Sequence, residues 1–148
     1  MKKSLLLVSF LIITGLSYAQ QKNESTIYLG GKPGTDSNNP ERCFKLADFK
    51  NKLSVTSGVD SVTKIDIFQV VNKKPIANTS FTSVKELQNF DLYSWIQEGG
   101  STSPAGKTTR NQAAQKSKLA PGDRLAIEVR YLKNGKQESI IRSFFLCK

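Results

Sequence analysis

The sequence predicts a mainly β protein: an antiparallel, immunoglobulin-like β-sandwich with one short helix before a final hairpin. Three observations support this prediction. Short runs of β-branched and aromatic residues recur along the chain, clusters of turn-forming residues separate these runs, and no long amphipathic helical pattern is present. Of the 148 residues, 1–19 are interpreted as a signal peptide and 20–148 as a single β-sandwich domain.

The N-terminal segment has the three parts of a secretory signal peptide. Lys2 and Lys3 precede an apolar run from Leu5 to Leu16, and Ser17-Tyr18-Ala19 forms a small-x-small exit, so cleavage is expected after Ala19. The apolar run is shorter than the ~20 residues that a membrane span requires. We therefore expect a periplasmic or secreted protein whose mature form has no transmembrane segment.

The start of the domain contains predicted strands of unequal strength. Thr26 to Leu29 is a short β-type run that stops at Gly30-Gly31, and a stretch rich in glycine, proline and asparagine predicts a long loop after it. A weak apolar alternation over 43–49 precedes a better strand over 52–56.

The middle of the domain has the strongest β character. In the segment 62–72 a double apolar step at Ile67-Phe68 predicts either a bulge or burial on both faces. A turn over 72–75 leads to a weaker strand over 76–81. The block 83–97 fits neither period well, and we interpret it as irregular with a short helical turn.

The end of the domain predicts a short helix followed by a hairpin. Thr109 is the expected cap of a helix over 110–119. Pro121-Gly122 predicts a type II turn over 120–123, and an apolar alternation from Leu125 to Tyr131 predicts a strand with one buried face. Asn134-Gly135 predicts a type I′ hairpin turn. The return strand, 136–147, ends almost entirely apolar and is expected to be central.

Charge and cysteine content indicate the surroundings of the mature protein. Without the two signal lysines, 20 basic residues stand against 12 acidic ones, a net charge of +8 that favours anionic partners. Cys43 and Cys147 are the two cysteines. In an oxidising compartment they are expected to form a structural disulfide that encloses 103 residues, the alternative being a free reactive thiol.

The residue inventory argues against a catalytic or metal site. The chain has no histidine, which excludes a Ser-His-Asp or Cys-His site and removes the commonest metal ligand. The segment 30–35 has the wrong order for a phosphate loop, and 36–41 lacks the glycine and the distant glutamate of a calcium loop. No spacing implies a carboxylate pair. We expect no cofactor, no metal and no enzymatic activity.

Two groups of residues are candidates for binding. Basic side chains around the predicted helix form a candidate patch for an acidic protein or an anionic envelope polymer. The same side chains also fit a solvated face. They are Lys107, Arg110, Lys116, Lys118 and Arg124. Nucleic acid is not expected, because no stacking aromatics are interleaved with these charges. Tyr93 and Trp95 are either a recognition surface beside a glycine-rich loop or part of the core.

Near the C-terminus a turn segment leads into a strand, a glycine turn and a final apolar strand. The turn segment is Ser117-Lys118-Leu119-Ala120-Pro121-Gly122-Asp123-Arg124-Leu125, and Ile127-Glu128-Val129 follows it. This order resembles the C-terminal periplasmic domains of the gliding-motility M protein of type IX secretion machines. The loop Gly30-Gly31-Lys32, followed later by Phe44-Lys45-Leu46, is also similar. The resemblance implies a β-rich domain that acts through protein contacts without enzymatic activity. That family member is a membrane-anchored multidomain column, whereas this chain predicts one domain.

The sequence thus favours an exported, non-enzymatic binding or structural module of the bacterial envelope, acting through protein–protein or anionic-surface contacts. The alternative is an exported hydrolase or protease inhibitor that uses a surface loop, Gly99 to Gly106 or Gly30 to Glu41. Two carboxylates facing each other across a pocket would favour catalysis. An exposed sheet edge would favour binding.

Overall fold

The computed structural model describes residues 26–36, 42–56, 61–100, 109–110 and 118–148. These residues form nine strands: β1 (Ile27–Leu29), β2 (Lys32–Pro33), β3 (Cys43–Phe44), β4 (Leu53–Val55), β5 (Ser61–Val71), β6 (Lys74–Phe81), β7 (Thr109–Arg110), β8 (Arg124–Lys133) and β9 (Lys136–Leu146). They also form a 3-10 helix (Leu46–Lys50) and two short helices, α1 (Val84–Gln88) and α2 (Leu92–Gln97). The protein is therefore mainly β, as predicted. No helix in this part of the chain has the length and apolar character to cross a membrane.

The strands are arranged in two sheets. One has the order β2-β1-β4 and the other has the order β3-β9-β8-β5-β6-β7. The pair β3–β9 is parallel, and every other pair of these strands is antiparallel. The expectation of a purely antiparallel arrangement is therefore wrong at this pair. A parallel pair needs a long connection, and here nearly the whole domain lies between its two strands.

The predicted turns are confirmed. Asn134 and Gly135 have φ values of 51° and 70° between β8 and β9, as a type I′ turn requires. Gly122 has a φ of 93°, and the amide of Asp123 donates to the Ala120 carbonyl at 2.9 Å. Both turns are specified by residues adjacent in sequence.

Strand β5 is buried on both faces, one of the two alternatives predicted from its apolar run, whereas its register is regular at the Ile67-Phe68 step. Ile65, Asp66 and Ile67 are buried in succession, which requires cover on both sides of the sheet. The register against β6 shifts between Gln69 and Val70, two residues beyond the predicted step.

The block 83–97 contains two capped helices, where the sequence predicted only one short helical turn. The amide of Glu86 donates to Ser83 Oγ at 3.2 Å, and the amide of Ser94 donates to Asp91 Oδ1 at 2.9 Å. Side-chain acceptors at these positions satisfy amides that a helix start leaves without partners. Two such caps close together divide the block into α1 and α2.

The predicted helix after Thr109 is wrong at its start. Thr109 and Arg110 form β7, which pairs with Asn78 and Ala77 at the edge of β6. The open edge of β6 offers main-chain hydrogen bonds that outweigh the local helix preference. Residues 111–117 of that prediction lie outside the described residues.

The apolar end of strand β9 predicted a central strand, but β9 does not lie at the centre of the sheet. It lies next to the sheet edge, and β3 covers only Phe145 and Leu146. The apolar character has other causes: Phe144 and Leu146 are buried in the core, and the Arg124 guanidinium lies 5.5 Å from the Phe145 ring centroid.

Both sheets and the helices contribute to one core. Its largest fully buried side chains are Trp95, Phe44, Phe49, Phe81 and Phe144. The predicted disulfide between Cys43 and Cys147 is present, with 4.8 Å between the Cα atoms. It joins β3 to the residue that follows β9.

Candidate functional site

The structure describes two side chains of the predicted basic patch. Lys118 is exposed, whereas Arg124 is half-buried and lies over the Phe145 ring. Lys107, Lys116 and the side chain of Arg110 fall outside the described residues. The patch as a whole stays a prediction.

The two predicted aromatic residues have different environments. Trp95 is 1% exposed, and its ring centroid lies 5.9 Å from that of Phe90, so it belongs to the core and not to a recognition surface. A domain of this size needs its largest apolar side chain inside. Tyr93, in contrast, is half-buried and lines an open cleft.

That cleft, about 550 Å³ in volume, separates the 3-10 helix and β4 from the two α-helices. Its floor is apolar and consists of Phe49, Leu53, Leu87 and Leu92, which are all buried. Its rim is polar and includes Lys50, Lys52, Gln88, Asn89, Asp91 and Tyr93. We call this feature the lysine cleft.

Local hydrogen bonds hold the lysine-bearing wall of the cleft. Asp48 Oδ2 accepts from the amide of Lys45 at 2.8 Å at the start of the 3-10 helix. At its end, the Asp48 carbonyl accepts from the backbone amide and the side-chain Nδ2 of Asn51, at 3.0 and 2.9 Å. Lys50 and Lys52 flank Asn51 in the sequence, so these bonds hold both lysines beside the cleft.

The electrostatics of the cleft are set by two lysines and one carboxylate. Lys50 Nζ lies 4.8 Å from the Tyr93 ring centroid, a cation–π contact, and Lys52 is exposed. Asp91 accepts from the backbone amide and hydroxyl of Ser94 at 2.9 and 2.7 Å. These hydrogen bonds lower the pKa of Asp91, so the ionised carboxylate caps the start of α2. Neither lysine forms a salt bridge with a described residue.

The chemistry available in the cleft is that of binding. The lysines attract carboxylates or other anions, and the amide side chains of Gln88 and Asn89 supply hydrogen-bonding groups on the opposite wall. The floor side chains are at most 4% exposed, so the partly exposed rings of Phe90 and Tyr93 are what the cleft offers to the non-polar part of a ligand. Asp91 is the only carboxylate among the described lining residues, which therefore offer no carboxylate pair.

Other carboxylates in the described residues take part in structural contacts. Glu86 accepts from the Thr82 amide at 2.8 Å, and Asp123 accepts from the amides of Asn72 and Ala120 at 3.2 and 2.9 Å. Glu138 accepts from the Tyr131 hydroxyl at 3.2 Å. Among the residues that the structure describes, no group of three or more His, Cys, Asp or Glu side chains could hold a metal ion.

A second cavity, of about 440 Å³, lies where the two sheets approach each other near Thr26 and Arg42. Its central arginine, Arg142, is 17% exposed and forms a 2.8 Å salt bridge to Asp36. Arg142 Nε also donates to Thr26 Oγ1 at 3.3 Å. This arginine therefore links the sheets, and its charge is already paired.

The loops named for the alternative function are described only in part. The structure includes 30–36 of the first loop and Gly99-Gly100 of the second, where both glycines are buried. The rest of each loop lies outside the described residues. A role for these loops in hydrolysis or protease inhibition remains a prediction.

The lysines of the cleft were not predicted from the sequence. The segment Lys50-Asn51-Lys52 is visible as a local charge cluster just before β4. The opposite wall comes from residues 87–93, so only the tertiary fold brings the cluster next to an apolar floor and Tyr93. A comparison with family models, curated proteins and solved structures finds no match to this chain.

Proposed function

We propose that the chain is an exported, non-enzymatic binding module of the bacterial envelope, built as an immunoglobulin-like β-sandwich, that holds an acidic segment of a partner protein in the lysine cleft. The observation that carries the proposal is the pairing of two lysines, neither in a salt bridge with a described residue, with the partly exposed rings of Phe90 and Tyr93. A segment with both carboxylate and apolar side chains matches this combination.

The sandwich architecture is supported by the shared core of the two sheets. Ile27 and Leu53 of the three-stranded sheet belong to the same buried cluster as Ile65, Leu125 and Ile127 of the six-stranded sheet. Side chains from two facing sheets interdigitate in this way in a sandwich.

Export is supported by the disulfide and by the N-terminal segment. A structural disulfide persists in oxidising compartments and is rare in the cytosol. The predicted signal peptide directs the chain to such a compartment.

Charge reversal in the cleft tests the proposal. Lys50→Glu together with Lys52→Glu should weaken binding of poly-L-glutamate by about tenfold or more, because two attractive charges become repulsive. The measurement is isothermal titration calorimetry on the mature chain. The matched control is Lys74→Glu with Lys136→Glu, which changes the net charge equally at two exposed positions that do not line the cleft.

Equal weakening by both double variants would show that binding follows net charge and would overturn the cleft as the site. A polyuronate in place of poly-L-glutamate separates the two kinds of partner. Tighter binding of the polyuronate would favour an anionic envelope polymer over a protein. Neutral dextran serves as the uncharged control.

The predicted basic patch is tested with Lys116→Glu and Lys118→Glu. Arg124 is left in place because its stacking on Phe145 contributes to packing. If the cleft is the site, this double variant should keep most of the affinity for poly-L-glutamate. A loss as large as that of the cleft variant would move the site to the patch.

A further inference from the structure

The two lysines of the lysine cleft differ in how their side chains are held. Lys50 Nζ lies 4.8 Å from the centroid of the Tyr93 ring, and no cation–π contact of this kind joins Lys52 to a described ring. Both side chains are exposed, and neither forms a salt bridge with a described residue. The two lysines carry the same charge, so their difference lies in the position of that charge.

The contact between Lys50 and Tyr93 joins the two walls of the cleft. Lys50 is the last residue of the 3-10 helix, and Tyr93 lies in the first turn of α2. These two helices lie side by side in the fold. The ammonium group is therefore held over the ring by elements from opposite walls.

Both ends of this contact extend from well-anchored backbone positions. Phe49, which precedes Lys50, is buried in the core. On the other wall Leu92 and Trp95 lie on either side of Tyr93 in sequence, and both are buried. The core thus fixes the backbone from which each of the two side chains extends.

A lysine held in this way still presents hydrogen-bond donors to a ligand. An ammonium group has three N–H donors, and an aromatic ring takes up one side of it. Because the Lys50 side chain is exposed, its remaining donors are accessible to a carboxylate that enters the cleft. The ring therefore sets the position of the charge without neutralising it, as a salt bridge would.

The restraint on Lys50 reduces the entropy that is lost when a ligand binds. Lysine is among the side chains that lose the most rotamer freedom when they are fixed. With Lys50 held over Tyr93, part of this loss has occurred before the ligand arrives, and pre-organisation of this kind increases affinity. Lys52 loses its freedom only on binding.

We propose that Tyr93 is a positioning residue of the lysine cleft, whose ring holds the Lys50 ammonium where it receives a carboxylate of the acidic partner. Because this role rests on the proposed function of the cleft, it adds to that function a residue that carries no charge. It also makes the two lysines unequal. Lys50 fixes one carboxylate of the partner, and Lys52 adapts to a second.

Isothermal titration calorimetry with poly-L-glutamate on the mature chain tests this role. Tyr93→Leu removes the ring but leaves the net charge unchanged, and it should weaken binding by about two- to fivefold, the range of an exposed cation–π contact. Tyr93→Phe, the conservative variant, keeps the ring and should bind within about twofold of the wild type. Lys50→Gln should weaken binding more than Lys52→Gln, although each removes one positive charge.

Double variants separate positioning from direct contact between Tyr93 and the ligand. If the ring acts through Lys50, Tyr93→Leu should have little effect once Lys50→Gln is present and its full effect beside Lys52→Gln. If the ring only touches the ligand or supports the fold, its loss should weaken binding equally in both backgrounds. Equal weakening would therefore overturn the proposal.

Nuclear magnetic resonance of the ligand-free chain gives a measurement that needs no binding. Protons held over an aromatic ring shift upfield, so the ε-methylene signal of Lys50 should lie upfield of that of Lys52 and lose this shift in Tyr93→Leu. Coincident signals, or equal affinities of Tyr93→Leu and the wild type, would overturn the role of Tyr93 and leave the cleft as the binding site. A wild type that fails to bind poly-L-glutamate would instead overturn the proposed function, and the role of Tyr93 with it.

Discussion

Asp66 is a charged residue in the interior of the six-stranded sheet, with 3% of its surface exposed. Its carboxylate accepts a hydrogen bond from Ser80 Oγ and lies 2.8 Å from Lys64 Nζ and 3.8 Å from Arg130 Nη2. Burial of an unpaired charge is strongly unfavourable. These partners, from β5 itself, β6 and β8, explain why β5 can carry the buried charge. The buried pairing of Asp66 was not predicted from the sequence, because its partners come from three strands.

Two exposed carboxylates make stability depend on pH. Hydrogen bonds from the amide and hydroxyl of Thr82 lower the pKa of Glu86, and those from Ser94 lower the pKa of Asp91. A lowered pKa in the folded state stabilises the protein above the unfolded values of 4.5 and 3.8. This contribution is lost as the pH falls through the folded-state pKa of each group.

We therefore expect Glu86→Gln combined with Asp91→Asn to reduce the loss of stability between neutral and acidic pH. Both replacements keep hydrogen-bond acceptors and remove the charge. Urea unfolding at a series of pH values measures the effect. Glu98→Gln, which removes one carboxylate at another exposed position, is the control. A double variant with the same pH dependence as the wild type would contradict this account.

The elements that the sequence predicted best are those with local causes. The turns at Pro121-Gly122 and Asn134-Gly135 need particular φ values, and their residue types state this requirement directly. The helices α1 and α2 were partly missed because each is too short for a helical period to show. Strand β7 was missed because its partner on β6 decides its conformation.

A comparison of Gly122 with Gly100 distinguishes the effect of backbone strain on stability from the effect of side-chain overpacking. Gly122 and Gly100 both have positive φ, 93° and 77°, but a Cβ atom at Gly122 would meet nothing within 4 Å. At Gly100 it would lie 2.4 Å from the Cβ of Ala77. We expect Gly122→Ala to cost about 1–2 kcal/mol of unfolding free energy from backbone strain alone.

Gly100→Ala should cost about 1–3 kcal/mol more, because the new methyl group overpacks the space between α2 and β6. Denaturant unfolding of both variants, with the disulfide kept oxidised, measures the difference. Equal destabilisation by the two replacements would mean that the chain near Gly100 moves freely to make room.

At the scale of the whole molecule, the closure of the fold depends on residues far apart in the chain. The disulfide spans 104 positions, and among the described strands β3 pairs only with β9. The cysteine content and the predicted compartment were enough to predict the disulfide. The parallel pair and the lysine cleft were not predictable, because neither has a local signature.

Removal of the disulfide tests its contribution. Cys43→Ala with Cys147→Ala should lower the free energy of unfolding by about 2–5 kcal/mol, since the cross-link restricts the unfolded chain. Guanidinium unfolding of the variant, compared with the reduced wild type, measures this. The two should agree, and a variant as stable as the oxidised wild type would contradict the entropic argument.

The position of β3 in the sheet also has a consequence for biosynthesis. A chain is made from its N-terminus, so Cys43 emerges about a hundred residues before the sulfur that it will bond. During that interval β3 has neither its strand partner nor its thiol partner, because β9 is made last of the described strands. In an oxidising compartment, an unfinished chain would carry one cysteine without its partner, so any disulfide that it formed would be with another molecule. A stalled or truncated product should accumulate as mixed disulfides, which would identify it to the cell's thiol-exchange enzymes.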